Sequence, residues 1–394
     1  MTGTPAVVKF GGAVLSDPDA VVQRLRSYLR RGVPVVAVVS AREGVTDRLL
    51  SLARHPTDTV LRARTVQALR HQHPGSTGPL RRLFLDLERV PDRSRRQLEP
   101  DGVATDALLA QGERLAVEWL VPQLRDVGLP AVAVDSGTLG LWTDGRHGSA
   151  TILLDRSRRS VRRGLLPMLS RGQLPVVTGY FGRGPRGEPV TLGRGGSDYS
   201  ASAIGALVGA RFVELVKRDA AVLSGDPALV PRARPVARLS YAEAEELAEF
   251  GVRVLHPMAI EPARRSGFEI RVRSLGDPHR STSIGAWSGR PEVRAITVSP
   301  RHCLWRLRFP GGRGRTGVLA EVCAALAEAR IPVLQAFTSA AVVSLVVDLP
   351  RSLVAREVLA RLVADRCAHL EGPFPISLVA VVGAGAISAV PRIP

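Results

Sequence analysis

The sequence predicts an α/β protein in which a mainly parallel sheet lies between helices, followed by a small α+β unit. Three observations indicate this fold class. Short apolar runs typical of buried strands alternate with amphipathic helical segments over the first two thirds of the 394 residues. A strand, a helix and a second strand follow one another before residue 40, as in a parallel βαβ unit. A different order of elements begins near residue 295.

The elements of the larger unit follow from hydrophobic periodicity and from turn-forming residues. We predict strands at residues 6–10, 33–39, 131–134, 175–177, 211–216 and 270–274, the last of which closes the sheet. We predict helices at residues 19–31, 105–124, 202–208 and 240–250, and an arginine-rich helical stretch at 55–100 with a break at His73-Pro74-Gly75.

A change of composition separates the two units. Residues 276–291 are rich in Gly, Pro, Asp and Ser, which predicts a linker. After it we predict strands at 295–307, 332–336, 341–348 and 376–382, and helices at 316–329 and 353–367. This βαββαβ order is typical of a ferredoxin-like sandwich. We therefore expect units at residues 1–285 and 295–394, joined by a linker at 286–294.

Composition excludes several classes of protein. No stretch approaches the roughly 20 apolar residues of a membrane span. The N-terminus lacks the basic region of a signal peptide. Cys303, Cys323 and Cys367 have no metal-ligand spacing and are odd in number, so we interpret them as reduced, mostly buried thiols. These features predict a cytoplasmic protein with no membrane partner.

The net charge of +18 raises the question of a nucleic-acid partner. The arginines are spread widely, however, and aromatic residues are not interleaved with them. The densest runs, Arg93-Ser94-Arg95-Arg96 and residues 156–163, are interpreted as solvated helix faces. We therefore predict that the protein does not bind nucleic acid.

Only two of the 54 basic residues are lysines, Lys9 and Lys217. A lysine that persists amid such an arginine bias suggests a need for a compact, flexible ammonium. Lys9 lies in Lys9-Phe10-Gly11-Gly12 at a predicted strand end, where glycines let backbone N–H groups approach an anion. Lys217 follows a predicted strand and is assigned to a loop. Alone, the first segment is also compatible with a tight turn.

A glycine-rich segment at residues 191–201 is the more specific signal. Three glycines surround Arg194, Ser197 and Asp198, and a predicted helix follows. Such a loop offers N–H groups and the positive end of a helix dipole to an anion. Arg194 can bind a carboxylate with a bidentate fork, and Asp198 can orient Lys9 or help to hold a metal–phosphate complex.

Two further segments contribute polar groups. Residues 40–47, which include Thr46, follow a buried strand at the carboxyl edge of the sheet, where α/β proteins usually bind ligands. Glu113 stands after Gly112 within a predicted helix. A glutamate in such a position is most often merely solvated, and this alternative remains open.

Together these segments resemble those of the aspartate kinases, of the amino acid kinase superfamily, in order and spacing. The resemblance covers residues 5–285, and residues 295–382 resemble the first regulatory ACT domain of that family. The matching segments are Lys9 to Gly12, 40–47, Gly112-Glu113, 191–201, Asp226-Pro227, Ser240-Tyr241, 254–257 and 272–274.

The resemblance implies transfer of the γ-phosphoryl group of Mg²⁺-ATP to the side-chain carboxylate of L-aspartate, giving 4-phospho-L-aspartate. It implies that Lys9 stabilises the transferring phosphoryl group and that Asp198 organises Lys9. It implies that Arg194 binds a carboxylate of aspartate and that Glu113 binds its ammonium. Thr46 and Ser197 would then hydrogen-bond the substrate.

The resemblance also implies a nucleotide site and an oligomer. Gly11 and Gly12 would donate N–H groups to phosphate. The other implied nucleotide-binding residues are Lys9, Lys217, Arg218, Arg253 and Val254. ACT domains usually pair, so a homodimer is expected.

The sequence departs from the family pattern mainly on the nucleotide side. Ala13 stands where the family has Thr or Ser, Ala228 where it has Arg, and Arg253 where it has Lys. Residues 217–223 also differ from the usual nucleotide loop. These departures predict weaker ATP binding or a changed nucleotide pose rather than a changed acceptor.

Two alternatives remain at this point: a pseudokinase that keeps the amino-acid pocket, and a kinase for another acidic amino acid. The family carries two ACT domains, at whose contacts lysine or threonine binds. The second would begin near residues 380–383 and stop at once. We therefore expect little or no inhibition by lysine or threonine.

Overall fold

The computed structural model describes residues 3–75, 77–88, 102–218, 221–250, 255–277, 280–287, 292–309, 315–339, 341–364 and 369–384. Strands of the larger unit are β1 (Ala6–Phe10), β2 (Val35–Val39), β3 (Ala131–Val134), β4 (Leu174–Thr178), β5 (Phe181–Arg183), β6 (Pro189–Thr191), β7 (Phe212–Lys217), β8 (Arg238–Ser240), β9 (Glu269–Ser274) and β10 (Ser281–Gly285). Its helices are α1 (Pro18–Leu29), α2 (Val45–Arg54), α3 (Thr59–Gln72), α4 (Gly78–Glu88), α5 (Val103–Leu109), α6 (Gln111–Asp126), α7 (Ser136–Leu139), α8 (Leu154–Ser170), α9 (Gly196–Val208), α10 (Tyr241–Glu249) and α11 (Ile260–Ser266).

The main sheet confirms the predicted fold class. Within the described residues, eight strands form one sheet in the order β3-β4-β2-β1-β7-β9-β10-β8. Neighbouring strands are parallel except β9 and β10, which are antiparallel. Because side chains alternate along a strand, Ala6 and Val8 pack under α1 and α6, while Val7 packs under α8 and α9. The sheet therefore lies between two helical layers, as predicted.

Two predictions for this unit were wrong at the far side of the sheet. Residues 270–274 do not close it, since β10 and then β8 pair beyond β9. Part of the predicted linker is strand β10, in which Thr282 and Ile284 are buried. The segment Ser281–Gly285 has one large apolar residue and ends in glycine, so its composition resembles a turn more than a strand.

Two helix predictions also need correction. The single helix expected at 105–124 is divided at Ala110 into α5 and α6. Apolar residues recur across the break, so periodicity alone does not mark it. The stretch expected at 55–100 contains α3 and α4, and its part beyond residue 88 lies outside the described residues.

The C-terminal unit has the predicted βαββαβ order. Its strands are antiparallel, in the order β12-β13-β11-β14, and Trp305, Leu307 and Leu345 pack in the apolar core that they share with the two helices. Its elements are β11 (Ala295–Arg308), α12 (Arg315–Glu328), β12 (Val333–Thr338), β13 (Val342–Asp348), α13 (Ser352–Ala364) and β14 (His369–Val382).

Hydrogen bonds and an apolar contact connect this unit to the larger one. The N–H of Ile296 donates to the carbonyl of Ser224 at 2.9 Å, and the hydroxyl of Thr297 donates to the carbonyl of Phe250 at 3.2 Å. Ala295 lies in the same apolar cluster as Leu247 of α10. The start of β11 is therefore anchored on the larger unit.

Candidate active site

A cavity of about 460 Å³ lies at the carboxyl ends of β1 and β2 and the start of α9. This is the edge at which a ligand site was predicted. It brings together six predicted residues from four separate segments: Lys9, Thr46, Glu113, Arg194, Ser197 and Asp198. Other residues of its lining are Ser40, Ala41, Asp47, Tyr180, Gly193, Gly195 and Gly196.

Both lysines of the chain bind one carboxylate in the wall of this cavity. Lys9 Nζ lies 2.7 Å from Asp198 Oδ1, and Lys217 Nζ lies 2.9 Å from Asp198 Oδ2. The arrangement follows from the sheet, because β1 and β7 are adjacent and both lysines stand near their carboxyl ends. Lys217 is therefore the last residue of β7, not a loop residue as predicted.

The electrostatics of this centre follow from its burial, since Lys9 is 7% and Asp198 5% exposed. Burial alone would raise the pKa of Asp198, but the positive charges of Lys217 and Lys9 bring it well below its ordinary value. Burial also lowers the pKa of Lys9, and Asp198 opposes this effect. The result is an anion shared by two ammonium groups, of which that of Lys9 lines the cavity.

Two glycines with positive φ place Asp198 in the wall. Gly193 and Gly195 have φ values of 74° and 73°, which strain any other residue type. A Cβ on Gly195 would lie 2.4 Å from the Cβ of His256, so no side chain fits. Helix α9 begins at Gly196, six residues before the predicted start. Ser197 and Asp198 therefore stand in its first turn.

The turn after Lys9 is held by its neighbours on both sides. The N–H of Gly11 donates to the carbonyl of Val216 at 3.2 Å, so a phosphate would compete with this bond. A Cβ on Gly12 would lie 2.4 Å from the carbonyl oxygen of Ala41. Gly12 thus permits the close approach of the Lys9 turn to the loop that precedes α2, the helix that carries Thr46 in its first turn.

Glu113 is buried at 2% exposure, which excludes the solvated alternative. Its Oε1 accepts the N–H of Ala41 at 2.9 Å, and no described residue hydrogen-bonds its Oε2. Burial raises the pKa of Glu113 to about 8. Gly112 makes this approach possible, since a Cβ there would lie 2.9 Å from the Cβ of Ala41. An acidic oxygen with spare capacity suits a cationic group of a ligand.

Tyr180 lines the same cavity and was not predicted. Its φ of 70° is in the left-handed region, which is uncommon for an aromatic residue. A Cβ on the preceding Gly179 would lie 3.0 Å from the Cβ of Ser197 and from the carbonyl of Val39. The run Gly179-Tyr180-Phe181-Gly182, from the end of β4 into β5, is the signal that could have indicated it.

On the nucleotide side, Arg218 bridges two segments. Its Nη2 donates to the carbonyl of Ala13 at 2.9 Å and to the hydroxyl of Ser16 at 2.8 Å, and lies 3.5 Å from Glu43. It therefore touches Ala13, one of the positions that departs from the family pattern. Arg253 and Val254 lie outside the described residues.

The loop before α2, which leads to Thr46, is braced by a cluster that the sequence did not reveal. The guanidinium of Arg42 lies 4.1 Å from the ring centroid of Trp119, and His73 meets that ring edge-on at 6.2 Å. Gln72 donates to the carbonyl of Glu43 at 2.8 Å. His73 is 1% exposed, and burial lowers its pKa to about 4.

A buried aspartate, Asp106, braces the loop that carries Arg194. Asp106 Oδ2 accepts the N–H of Thr191 at 3.0 Å, the N–H of Gly148 at 3.3 Å and the Nδ1 hydrogen of His147 at 2.6 Å. The carbonyl of Gly148 in turn lies against Gly193. Asp106 thus fixes the base of the loop that carries Arg194, and the sequence alone did not single it out.

Comparison with known proteins agrees with this geometry. The model of the amino acid kinase family matches residues 4–274, more than half of the chain. An aspartokinase of Thermus thermophilus is 31% identical over 332 residues, which cover 83% of this chain and 70% of the relative. The chain belongs to the aspartokinases of the amino acid kinase family. It is therefore an ATP-dependent phosphotransferase, which confirms the predicted family and enzyme class.

Further relatives support this assignment over nearly the whole chain. The lysine-sensitive aspartokinase 3 of Escherichia coli is 28% identical and covers 96% of this chain and 86% of its own length. E. coli aspartokinase III solved with aspartate and ADP, in the R-state, has a TM-score of 0.85 at 26% identity, covering 98% of this chain. Its T-state with lysine and aspartate has a TM-score of 0.75.

Two structural findings bear on the remaining expectations. In the part of the chain that the structure describes, no helix combines the length and the apolarity that a membrane crossing requires. Cys303 and Cys323 are free thiols, the first buried and the second half-buried, whereas Cys367 lies outside the described residues.

Proposed function

We propose that this aspartokinase transfers the γ-phosphoryl group of ATP to the side-chain carboxylate of L-aspartate, giving 4-phospho-L-aspartate and ADP. The observation that carries this proposal is the pair of lysines on Asp198, in the wall of a cavity that also contains Glu113 and Arg194. The E. coli relative solved with aspartate and ADP supports both substrates.

The cavity suits an amino acid with two carboxylates. The free oxygen of Glu113 is placed to accept the α-ammonium, and the exposed guanidinium of Arg194 to bind the α-carboxylate. Thr46 and Ser197 add hydroxyl groups to the same lining. The side-chain carboxylate would then lie on the remaining side, next to the ammonium of Lys9.

The chemistry that follows is mostly positioning and charge neutralisation. A carboxylate oxygen of aspartate attacks the γ-phosphorus, an O–P bond forms, and the bond to the β-phosphate oxygen breaks with its electron pair going to ADP. The nucleophile is already an anion, so no base is needed. Lys9 and Lys217 reduce the repulsion between two anions and stabilise charge on the transferring group.

The nucleotide side of the proposal uses Gly11, Gly12, Lys217 and Arg218, together with Arg253 and Val254. The described residues contain no group of three His, Cys, Asp or Glu that could hold a metal ion. Both oxygens of Asp198 are also engaged by lysines. We therefore assign Mg²⁺ to the nucleotide substrate, held by its phosphates and by water.

An acceptor-specific assay tests this proposal. Purified protein is incubated with Mg²⁺-ATP, hydroxylamine and either L-aspartate, L-glutamate or no acceptor, and both hydroxamate and ADP are measured. We expect hydroxamate with aspartate alone, at one equivalent per ADP. Turnover with glutamate instead would indicate another acceptor, and the absence of turnover would favour a pseudokinase.

We also propose that the chain consists of two units, residues 1–285 and 295–394, joined by a linker at 286–294. We propose that two copies of the chain form a homodimer through their C-terminal units. Val379 and Val381 of β14 and Ile296 of the neighbouring β11 are 64%, 38% and 47% exposed, and the pairing of Ile296 with Val381 places them together as an apolar patch. Light scattering should give the mass of a dimer for the wild type and of a monomer for Val379→Asp. A wild-type monomer would contradict this.

Finally, we propose that lysine and threonine do not inhibit the enzyme and that it works in the cytoplasm. The free thiols Cys303 and Cys323 support the second point. Activity should be unchanged by millimolar lysine or threonine, alone or together, and strong inhibition would refute this.

A further inference from the structure

A second cavity, of about 520 Å³, lies between α1 and the strands β7 and β9. It shares no lining residue with the substrate cavity. Neither the sequence analysis nor the proposed reaction gives it a role. Its lining is strongly cationic and includes Arg24, Tyr28, Arg31, Glu214, Arg271 and Arg273.

The acidic residue of this lining is already satisfied. Glu214 is 1% exposed and accepts hydrogen bonds from both Nε and Nη2 of Arg24, the first at 2.6 Å. The hydroxyl of Tyr28 also donates to it, at 2.7 Å. Burial and the nearby Glu214 raise the pKa of Tyr28, so it remains a donor. Glu214 therefore orients Arg24 and leaves the other three guanidiniums of the lining without a counter-charge from the lining itself.

Those three differ in how they are held. Arg271 is fixed, because its guanidinium stacks 3.9 Å from the ring centroid of Phe212 and donates to Glu269 at 2.8 Å. No described residue forms a hydrogen bond or an ion pair with the side chain of Arg31 or Arg273, although Arg273 contributes to a lowered pKa of Glu269. The cavity thus combines oriented guanidiniums with ones whose donors are available.

We propose that this cavity binds a small polyanion that carries phosphate groups. Guanidiniums from one strand, β9, and from α1 and the residues just after it can hold two or more anionic oxygens from different sides. A cavity of about 520 Å³ is in the size range of small-molecule sites. Burial of a polyanion here would offset the excess of positive charge that the lining carries.

The position of the cavity connects it to the catalytic centre. Three of its lining residues bond the nucleotide side of the molecule: the carbonyl of Val216 accepts the N–H of Gly11 at 3.2 Å, the hydroxyl of Ser274 donates to the carbonyl of Arg218 at 2.9 Å, and the N–H of Leu275 donates to the carbonyl of Lys217 at 2.8 Å. A bound anion would rest against β7, which ends at Lys217, and against its neighbour β9. The binding proposal itself stands without the proposed reaction.

Calorimetric titration with inorganic pyrophosphate, without metal, tests the proposal on the full chain. A salt concentration of about 150 mM screens the general positive field of the surface. The double variant Arg31→Gln/Arg273→Gln removes two guanidiniums that form no ion pair with any residue in the described ranges. The matched control, Arg159→Gln/Arg162→Gln on the exposed face of α8, removes the same charge elsewhere.

We expect the wild type and the control to give the same isotherm, and the cavity variant to lose one equivalent of binding with unchanged melting temperature. The single change Arg31→Glu, at an exposed position after α1, should weaken the same equivalent at least tenfold. An isotherm of the cavity variant equal to that of the wild type overturns the proposal. So does an equal loss in the control, or no binding to the wild type.

Discussion

The two sides of the active site are built differently. At the catalytic centre and on the amino-acid side next to it, Lys9, Glu113 and Asp198 are almost fully buried and take their partners from distant strands, helices and loops. On the nucleotide side, the side chain of Arg218 is 52% exposed and bonds mainly to a carbonyl and a hydroxyl. Burial fixes the first group before substrate arrives, whereas exposure leaves the second free to exchange its partners.

This difference also matches where the sequence departs from its family. The buried set agrees with the family pattern, and the departures at Ala13 and Arg218 lie together on the exposed side. A buried charge without its partner is strongly destabilising, so substitution is tolerated less there. An exposed arginine can replace other phosphate-binding groups with little effect on the fold.

The change Asp198→Asn should have the largest effect on both stability and turnover, because it acts at the buried centre of the site. It leaves two ammonium groups facing each other without an anion, at a cost of about 4 kcal/mol in the free energy of unfolding. The rate of phosphoryl transfer should fall by about 10³-fold, since Lys9 loses its orientation. Urea denaturation and steady-state kinetics measure both. The exposed change Asp86→Asn is the control, and an Asp198→Asn enzyme with wild-type turnover would disprove the role of the shared carboxylate.

Lowering the pH should reduce the free energy of unfolding through His73, which lies in the cluster that supports the amino-acid side of the site. Its pKa is about 4 in the folded protein against 6.5 ordinarily, so below pH 6.5 the unfolded chain takes up the proton first. Stability is therefore unaffected above pH 7 and decreases as the pH falls towards 4, by about 3 kcal/mol. Urea denaturation of the wild type and of His73→Gln at pH 7.0 and 4.5 isolates the contribution of His73 to this loss of stability. Equal pH dependence in both proteins would contradict the prediction.

Glu113→Gln should raise the KM for aspartate about 30-fold, the loss of one charged hydrogen bond, with the KM for ATP nearly unchanged. The wild type should bind aspartate more tightly as the pH rises through about 8, because the carboxyl of Glu113 must ionise to pair with an ammonium. Titration of aspartate from pH 6.5 to 9 checks the sign. If Glu113→Gln keeps the same pH dependence, another group is responsible.

Arg218→Gln should have the smallest effect and should fall on the other side of the site. We expect the KM for ATP to rise about fivefold, the net value of one hydrogen bond, with the KM for aspartate unchanged. Arg186→Gln, on an exposed turn, serves as the control. A larger rise in the KM for aspartate than in the KM for ATP would contradict the distinction between the two sides.

Much of this molecule could be predicted from local sequence signals. The buried strands are uninterrupted apolar runs, and the pairing of Lys9 with Asp198 was predicted from the glycine-rich segments and the family resemblance. That both lysines bind the same carboxylate was predicted only for Lys9, because Lys217 was assigned to a loop.

The remainder depends on contacts between residues far apart in the chain. Asp106 reaches Thr191 across 85 positions, and Arg42 meets Trp119 from a different layer. A single buried aspartate or histidine has no periodic signature, so the pattern of one helix cannot reveal what it faces. Strand β10 was missed for a related reason, because only its pairing with β9 and β8 distinguishes it from a turn.

The central claim is that the ammonium of Lys9 acts on the transferring phosphoryl group and not on the binding of the amino acid. Single-turnover measurement of ADP formation, with aspartate saturating, compares the wild type with Lys9→Ala most directly. We predict a chemical step slowed by about 10³-fold, with aspartate affinity changed only a few-fold. A Lys9→Ala enzyme that transfers phosphate at the wild-type rate, or that only loses aspartate affinity, would contradict the account.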